Sequence, residues 1–170
     1  MSNTPNTAPN TASSMPEAGA HESPQQEMGW LLQTFASDVP GVTHAVLISR
    51  DGMRLLDSGV DKDWADELAA AISGVASLAA NTTGPTHQKR PARQVLIERE
   101  DCLFLLQSAG GSKVFRNQSG LRGVVDTILL VVTDPNADVG TAGYEMSRLI
   151  DKFAPYMEVP VRVAPGGDGR

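Results

Sequence analysis

The segment that most constrains the fold is Thr127–Thr133, TILLVVT. It is apolar at odd and even positions alike, so both of its faces must be covered. That is the mark of a strand in the middle of a sheet with a layer on each side. The remaining segments supply such a sheet. Ala45–Ser49 and Met53–Leu56 flank Arg50-Asp51-Gly52, and Asp-Gly between two apolar runs signals a tight hairpin. Gln94–Arg99 and Cys102–Gln107 form a second strand pair around Glu100-Asp101. Met28, Leu31, Leu32 and Phe35 recur with helical spacing, and Val39-Pro40-Gly41 closes that helix. Asp63 is the expected N-cap of a long second helix ending near Ala80, with Asp66 and Glu67 in its first turn. A last helix spans Val139–Phe153 and buries Met146, Leu149, Ile150 and Phe153. The order predicts an α/β fold of the α+β type: a three-layer α/β/α sandwich with one five-stranded antiparallel sheet.

Residues 1–26 are mainly Ser, Thr, Asn, Pro, Ala, Gln and Glu, and beyond Met1 their only large apolar side chain is Met15, which predicts a disordered tail. Residues 161–170 read as a flexible C-terminal tail and 27–160 as the folded domain. No apolar run is long enough to cross a bilayer, so membrane insertion is not expected. The N-terminus lacks the basic and apolar regions of a secretory signal, and a cytoplasmic location is expected. One cysteine and three scattered histidines offer neither an internal disulfide nor a metal site. A net charge of −6 argues against nucleic acid as the main ligand.

The second helix carries the clearest message about assembly. No charged residue occurs from Leu68 to Gln88. Trp64, Leu68, Ile72, Val75 and Ala79 cluster on the face expected to meet the sheet. The opposite face carries Ala70, Ser73, Gly74 and Ser77, small residues where a solvated helix would carry Lys and Glu. Packing against a second subunit explains this face. An Ala-rich soluble helix, or a covering loop of the same chain, are the alternatives.

Catalytic signatures are scarce. The chain has no G-K-[ST] phosphate loop and no G-x-S-x-G elbow. Gly110-Gly111-Ser112-Lys113 reads as at most a turn. Cys102 opens an apolar strand with no nearby histidine to activate it, and the acidic groups near Glu100 and Asp63 fit a hairpin turn and a helix start. His44 and His87 lie beside turns. One charge pattern stands out. Lys89, Arg90 and Arg93 lead into the third strand, and Lys113, Arg116 and Arg122 lie between the fourth and fifth. In an antiparallel meander these six converge on one rim of an acidic protein, as a docking patch for an acidic partner or as two solvated loops. Gly110–Asp126 is long for a hairpin connection.

An ordered set of short segments resembles the Roadblock (dynein light chain) family, in its actinobacterial branch. The segments are Trp30-Leu31-Leu32, Val39-Pro40-Gly41-Val42, His44–Ser49 with Asp51-Gly52, Ala65–Ala70 with Ser73-Gly74 and Ser77-Leu78-Ala79, then Asp134-Pro135 with Asp138, Gly140 and Tyr144-Glu145-Met146. They cover about 28–157. The stretch Ser112–Asp126 departs from the branch, where a short turn joins the last two strands. The resemblance implies a homodimer built by pairing third strands, through Val95 and Ile97, and packing second helices. It also implies a non-enzymatic adaptor or regulator of a small Ras-like GTPase, in some members a GTPase-activating co-regulator within a signalling complex, encoded beside a sensor-kinase-like protein. No cofactor is implied. No arginine finger is assigned, and Arg93, Arg116 and Arg122 are the ones to test. The alternative function is a small-molecule sensor domain of the same α/β/α shape, with a pocket lined by the few aromatics. A cysteine-dependent enzyme would need Cys102.

Overall fold

The computed structural model describes Met1 and residues 23–115 and 123–157. Most of the two expected tails, and 116–122, lie outside these residues. Among the described residues, three helices and five strands follow in the order α1 Pro24–Asp38, β1 Val42–Ser49, β2 Arg54–Asp57, α2 Lys62–Asn81, β3 Val95–Glu98, β4 Leu103–Ser112, β5 Val125–Thr133 and α3 Val139–Phe153, with a 3-10 turn at Ala154–Tyr156. The strands form one antiparallel sheet in the order β2-β1-β5-β4-β3.

The central strand is where its apolar run requires. Of β5 only Asp126 is exposed. Leu129 and Val131 point to the face covered by α1 and α3, where they meet Met28, Leu32, Met146 and Phe153. Ile128, Leu130 and Val132 point to the other face and pack with Leu68, Ala69 and Ile72 of α2. The alternation along one strand thus feeds two separate cores.

Several boundaries and one buried face differ from the sequence reading, each for a local reason. Helix α1 begins at Pro24, inside the segment expected to be a tail. Ser23 and Gln26 form a capping box: the Ser23 hydroxyl accepts from the Gln26 amide at 3.3 Å, and Gln26 Oε1 accepts from the Ser23 amide at 2.8 Å. Helix α2 is capped by Asp61, not Asp63. Asp61 Oδ1 accepts from the Trp64 amide at 3.0 Å, which leaves Asp63 as the only acid of the first turn and puts Asp66 and Glu67 beyond it. Strand β4 runs on to Ser112, so Gly110-Gly111-Ser112 is strand and not a turn. Gly110 sits at φ +91° where the pairing with β5 shifts register, a bulge that a side chain would resist. The connection to β5 is therefore shorter than Gly110–Asp126, and Phe115 anchors its start in the α1/α3 core. The sheet-facing side of α2 is also rotated: Ala65, Leu68, Ala69 and Ile72 are buried, while Val75 and Ala79 are only half-buried.

At one corner, three distant segments meet. The buried Ser112 hydroxyl donates to the Tyr156 carbonyl at 2.7 Å and accepts from the Val114 amide at 3.1 Å. Gln25 Nε2 donates to the Val114 carbonyl at 3.1 Å. The Tyr156 hydroxyl donates to the Glu27 carboxylate, and this bond raises the Tyr156 pKa. The start of α1, the end of β4 and the turn after α3 are thereby tied together.

Candidate interaction surface

The outward face of α2 divides. Ala70 and Gly74 are exposed, and Leu78, which the sequence pattern did not single out, is 74% exposed. Leu78 lies one turn beyond Gly74, so the i, i+4 spacing was the available signal. Ser73 and Ser77 are half-buried. Ser73 is turned inward: its hydroxyl donates to the Ala70 carbonyl at 3.0 Å, and it sits over Gly52 of the β1–β2 turn. The covering loop is thus the chain's own at Ser73, whereas Ala70, Gly74 and Leu78 form an uncharged stripe open to solvent.

Strand β3 lies at one edge of the sheet. Val95 and Ile97 are half-buried and pack on the α2 side, while Leu96 on the opposite face is 44% exposed. Nearby, α3 is latched to this edge by amides. Gln107 Nε2 donates to the Gln94 side chain at 3.0 Å and to the Gly143 carbonyl at 3.1 Å, and the Ser147 hydroxyl donates to Gln107 Oε1 at 3.2 Å.

Of the six basic residues, Lys89 and Arg90 come together in a small hairpin closed by the Thr83–Lys89 bridge. Lys89 Nζ reaches Asn81 Oδ1 at 3.5 Å and Arg90 reaches Gln88 Oε1 at 3.3 Å, so among the described residues both charges bond amides rather than carboxylates. Arg93 is exposed at the bend before β3. Lys113 is exposed just after β4, seven residues past Leu106, the partner of Val95 at the start of β3, or about 23 Å along the strand. Arg116 and Arg122 lie outside the described residues. A hollow of about 460 Å³ opens at the end of α2, lined by Ala79, Thr82, Thr83, Gly84, Pro85, Thr86, Gln88 and Arg90. It is walled by loop, not enclosed between helix and sheet.

Several of the other charges are committed to structure. Arg54 bridges Asp57 at 2.7 Å and Asp66 at 3.0 Å, and Lys62 holds Asp66 at 2.9 Å. Burial works to raise the Asp57 carboxyl, but the Val60 and Gly59 amides and the Arg54 guanidinium outweigh it and hold the carboxyl below its ordinary range. Burial and the adjacent Asp101 carboxylate push the Cys102 thiol up, the reverse of what a nucleophile needs. The aromatics do not line one pocket. Phe35, Phe104, Phe115 and Phe153 are core, while Trp30 (62%) and Tyr144 (65%) are exposed. Among the described residues no group of three His, Cys, Asp or Glu side chains could hold a metal ion, and no helix is long and apolar enough to cross a membrane.

A five-stranded antiparallel sheet with one long, charge-poor helix on one face and two helices on the other defines a class of small α/β/α domains. Residues 28–115 match the sequence model of the Roadblock/LC7 domain. The chain belongs to the Roadblock/LC7 family. A Roadblock/LC7 domain of known structure from Streptomyces avermitilis is 33% identical, with 75% of this chain and 94% of that one covered and a TM-score of 0.62. The gliding protein MglB from Thermus thermophilus is 17% identical, with 83% and 96% covered and a TM-score of 0.60. An MglB described in a tetrameric arrangement is also 17% identical, with 83% and 95% covered and the same TM-score. The two MglB structures share the fold. Comparison with curated proteins gave no match.

Proposed function

We propose that this chain is a non-enzymatic homodimeric adaptor or regulator of a small Ras-like GTPase, working in the cytoplasm. The observation that carries the dimer is the solvent-open stripe of Ala70, Gly74 and Leu78 on a helix with no charge from Leu68 onward. Small residues let a second helix approach closely, and an exposed uncharged helix face is costly to leave in water. Val95 and Ile97 on the β3 edge would extend the same interface by strand pairing. Family membership carries the GTPase, and the actinobacterial affinity, the GTPase-activating role and the sensor-kinase-like neighbour rest on the resemblance. Lys89, Arg90 and Arg93 are the docking residues to test first, with Lys113, Arg116 and Arg122 as a second group.

The test is a pull-down from native lysate with the tagged chain, in GDP or in a GTP analogue, read by mass spectrometry. The expected result is a P-loop protein of roughly 20 kDa, recovered in an amount that depends on the nucleotide. Charge reversal at Lys89 and Arg90 should lower that amount. Recovery of the chain alone in both nucleotide states overturns the GTPase assignment.

A further inference from the structure

The outward face of α2 carries opposite charges at its two ends. Counted from Gly74, Glu67 lies seven residues earlier and Asn81 seven residues later. At about 100° and 1.5 Å per residue, both fall within about 20° of Gly74 on the same face, each about 10.5 Å along the axis from it. Glu67 is exposed and makes no hydrogen bond or ion pair among the described residues, whereas its neighbour Asp66 is held by Arg54 and Lys62. Asp63, one turn further out, adds a second carboxylate to this end. At the other end Asn81 holds a cation. The hairpin closed by the Thr83–Lys89 bridge folds back so that Lys89 Nζ lies 3.5 Å from Asn81 Oδ1. No charge lies between the two ends, and Leu78 stands 74% exposed there.

We propose that Glu67 of one copy pairs with Lys89 of a second copy, twice in each dimer, and that this pair sets the two α2 helices antiparallel. Given the α2 homodimer on which this pairing rests, a two-fold axis passing at Gly74 brings position 67 of each copy opposite position 81 of the other. Asn81 then presents the Lys89 ammonium to the partner's Glu67. Ala70 and Gly74 at the crossing allow an interaxial distance of about 8 Å, within the combined reach of a lysine and a glutamate side chain. A parallel arrangement would set Glu67 against Glu67 and Lys89 against Lys89, and would align the two helix dipoles in the same sense. Lys89 thus works inside the dimer, and Arg90 and Arg93 remain available to the GTPase. These charges sit at the rim of an uncharged contact, so they select which chains pair. A related domain without opposite charges equidistant from its crossing point is a poorer partner for this one.

The dimer dissociation constant, measured by sedimentation, tests this on the parent, Glu67→Lys, Lys89→Glu, and an equimolar mixture of the two variants. Both positions are exposed, so neither change disturbs the core. Each variant alone faces like charges at both contacts and should dimerise at least about tenfold more weakly than the parent. In the mixture, a dimer holding one copy of each joins opposite charges at both contacts, and parent affinity should return. The chain carrying both changes should also dimerise like the parent. Raising salt to about 1 M should narrow the gap between the parent and the single variants. A parent that is dimeric, with single variants of unchanged affinity or a mixture no tighter than either variant, overturns this pairing and leaves the homodimer standing. A parent that stays monomeric overturns the homodimer, and the pairing with it.

Discussion

Replacing Gly74 with Glu gives opposite results for a solvated helix and for an interface helix. A Cβ built at Gly74 meets no neighbouring element within 4 Å. In a monomer the substitution therefore costs no packing. It also removes a glycine from a helix interior, worth about 0.5 kcal/mol of added stability. In a symmetric dimer joined through α2, each copy would bury a carboxylate against its partner's small residues. Desolvating an unpaired ion costs several kcal/mol, and two-fold symmetry applies that cost twice. At 1.4 kcal/mol per tenfold, the dimer constant should weaken by at least about a thousandfold. Sedimentation or light scattering should find the parent at twice the 18.0 kDa chain mass and the variant at the chain mass. Thermal unfolding of the variant at high dilution should show no loss. A parent that runs at 18.0 kDa, or a Gly74→Glu variant that stays dimeric with unchanged affinity, refutes the reasoning.

Other outcomes follow from individual contacts. Ser112→Ala leaves the Tyr156 carbonyl and the Val114 amide without their partner and should cost about 1–3 kcal/mol in urea unfolding, more than Tyr156→Phe, which removes only the Glu27 contact. Gly41→Ala forces a side chain into φ +80° and within 2.7 Å of Ala137 Cβ, so a loss of about 2 kcal/mol or more is expected in the same assay. Asp57 has a folded pKa below its unfolded value. Its stabilisation is therefore present above the ordinary carboxylate range and is lost as pH falls through the folded value. Asp57→Asn should lower stability at pH 7 by about 1–2 kcal/mol, and the gap should close as the parent is taken to low pH.

What the sequence discloses here depends on whether a signal is local. The run Val139–Phe153 sits between Asp138, which caps it through the Thr141 amide at 2.6 Å, and a closing Ala-Pro. Both helix ends are therefore readable from side chains within a turn. The central strand is readable because apolarity on both faces has few other meanings. Gly110-Gly111 misleads for the converse reason: glycine pairs usually punctuate, and only the distant partners Asp126 and Thr127 hold these two in a strand. At α2, Asp61, Asp63 and Asp66 compete for one cap. The choice falls to Asp61 while Arg54 and Lys62 occupy Asp66, a tertiary contact that spacing does not disclose. Ser23-Pro-Gln-Gln26 was a readable capping box hidden by the polar composition around it. In the candidate surface, the charge-free helix was legible as a face. The inward turn of Ser73 was not, because it depends on the β1–β2 turn lying beneath it.

The corner that joins Gln25, Glu27, Ser112, Val114 and Tyr156 brings the two ends of the folded unit together. Joining Met157 back to Ser23 by a short linker and opening the chain between Phe115 and Gly123 would therefore preserve the order of strands in the sheet. A circular permutant of that kind keeps α1, α2 and α3 where they are. In the native chain, the same proximity sets the start of α1 and the turn after α3 side by side at the α1/α3 core, on the face of the sheet opposite α2.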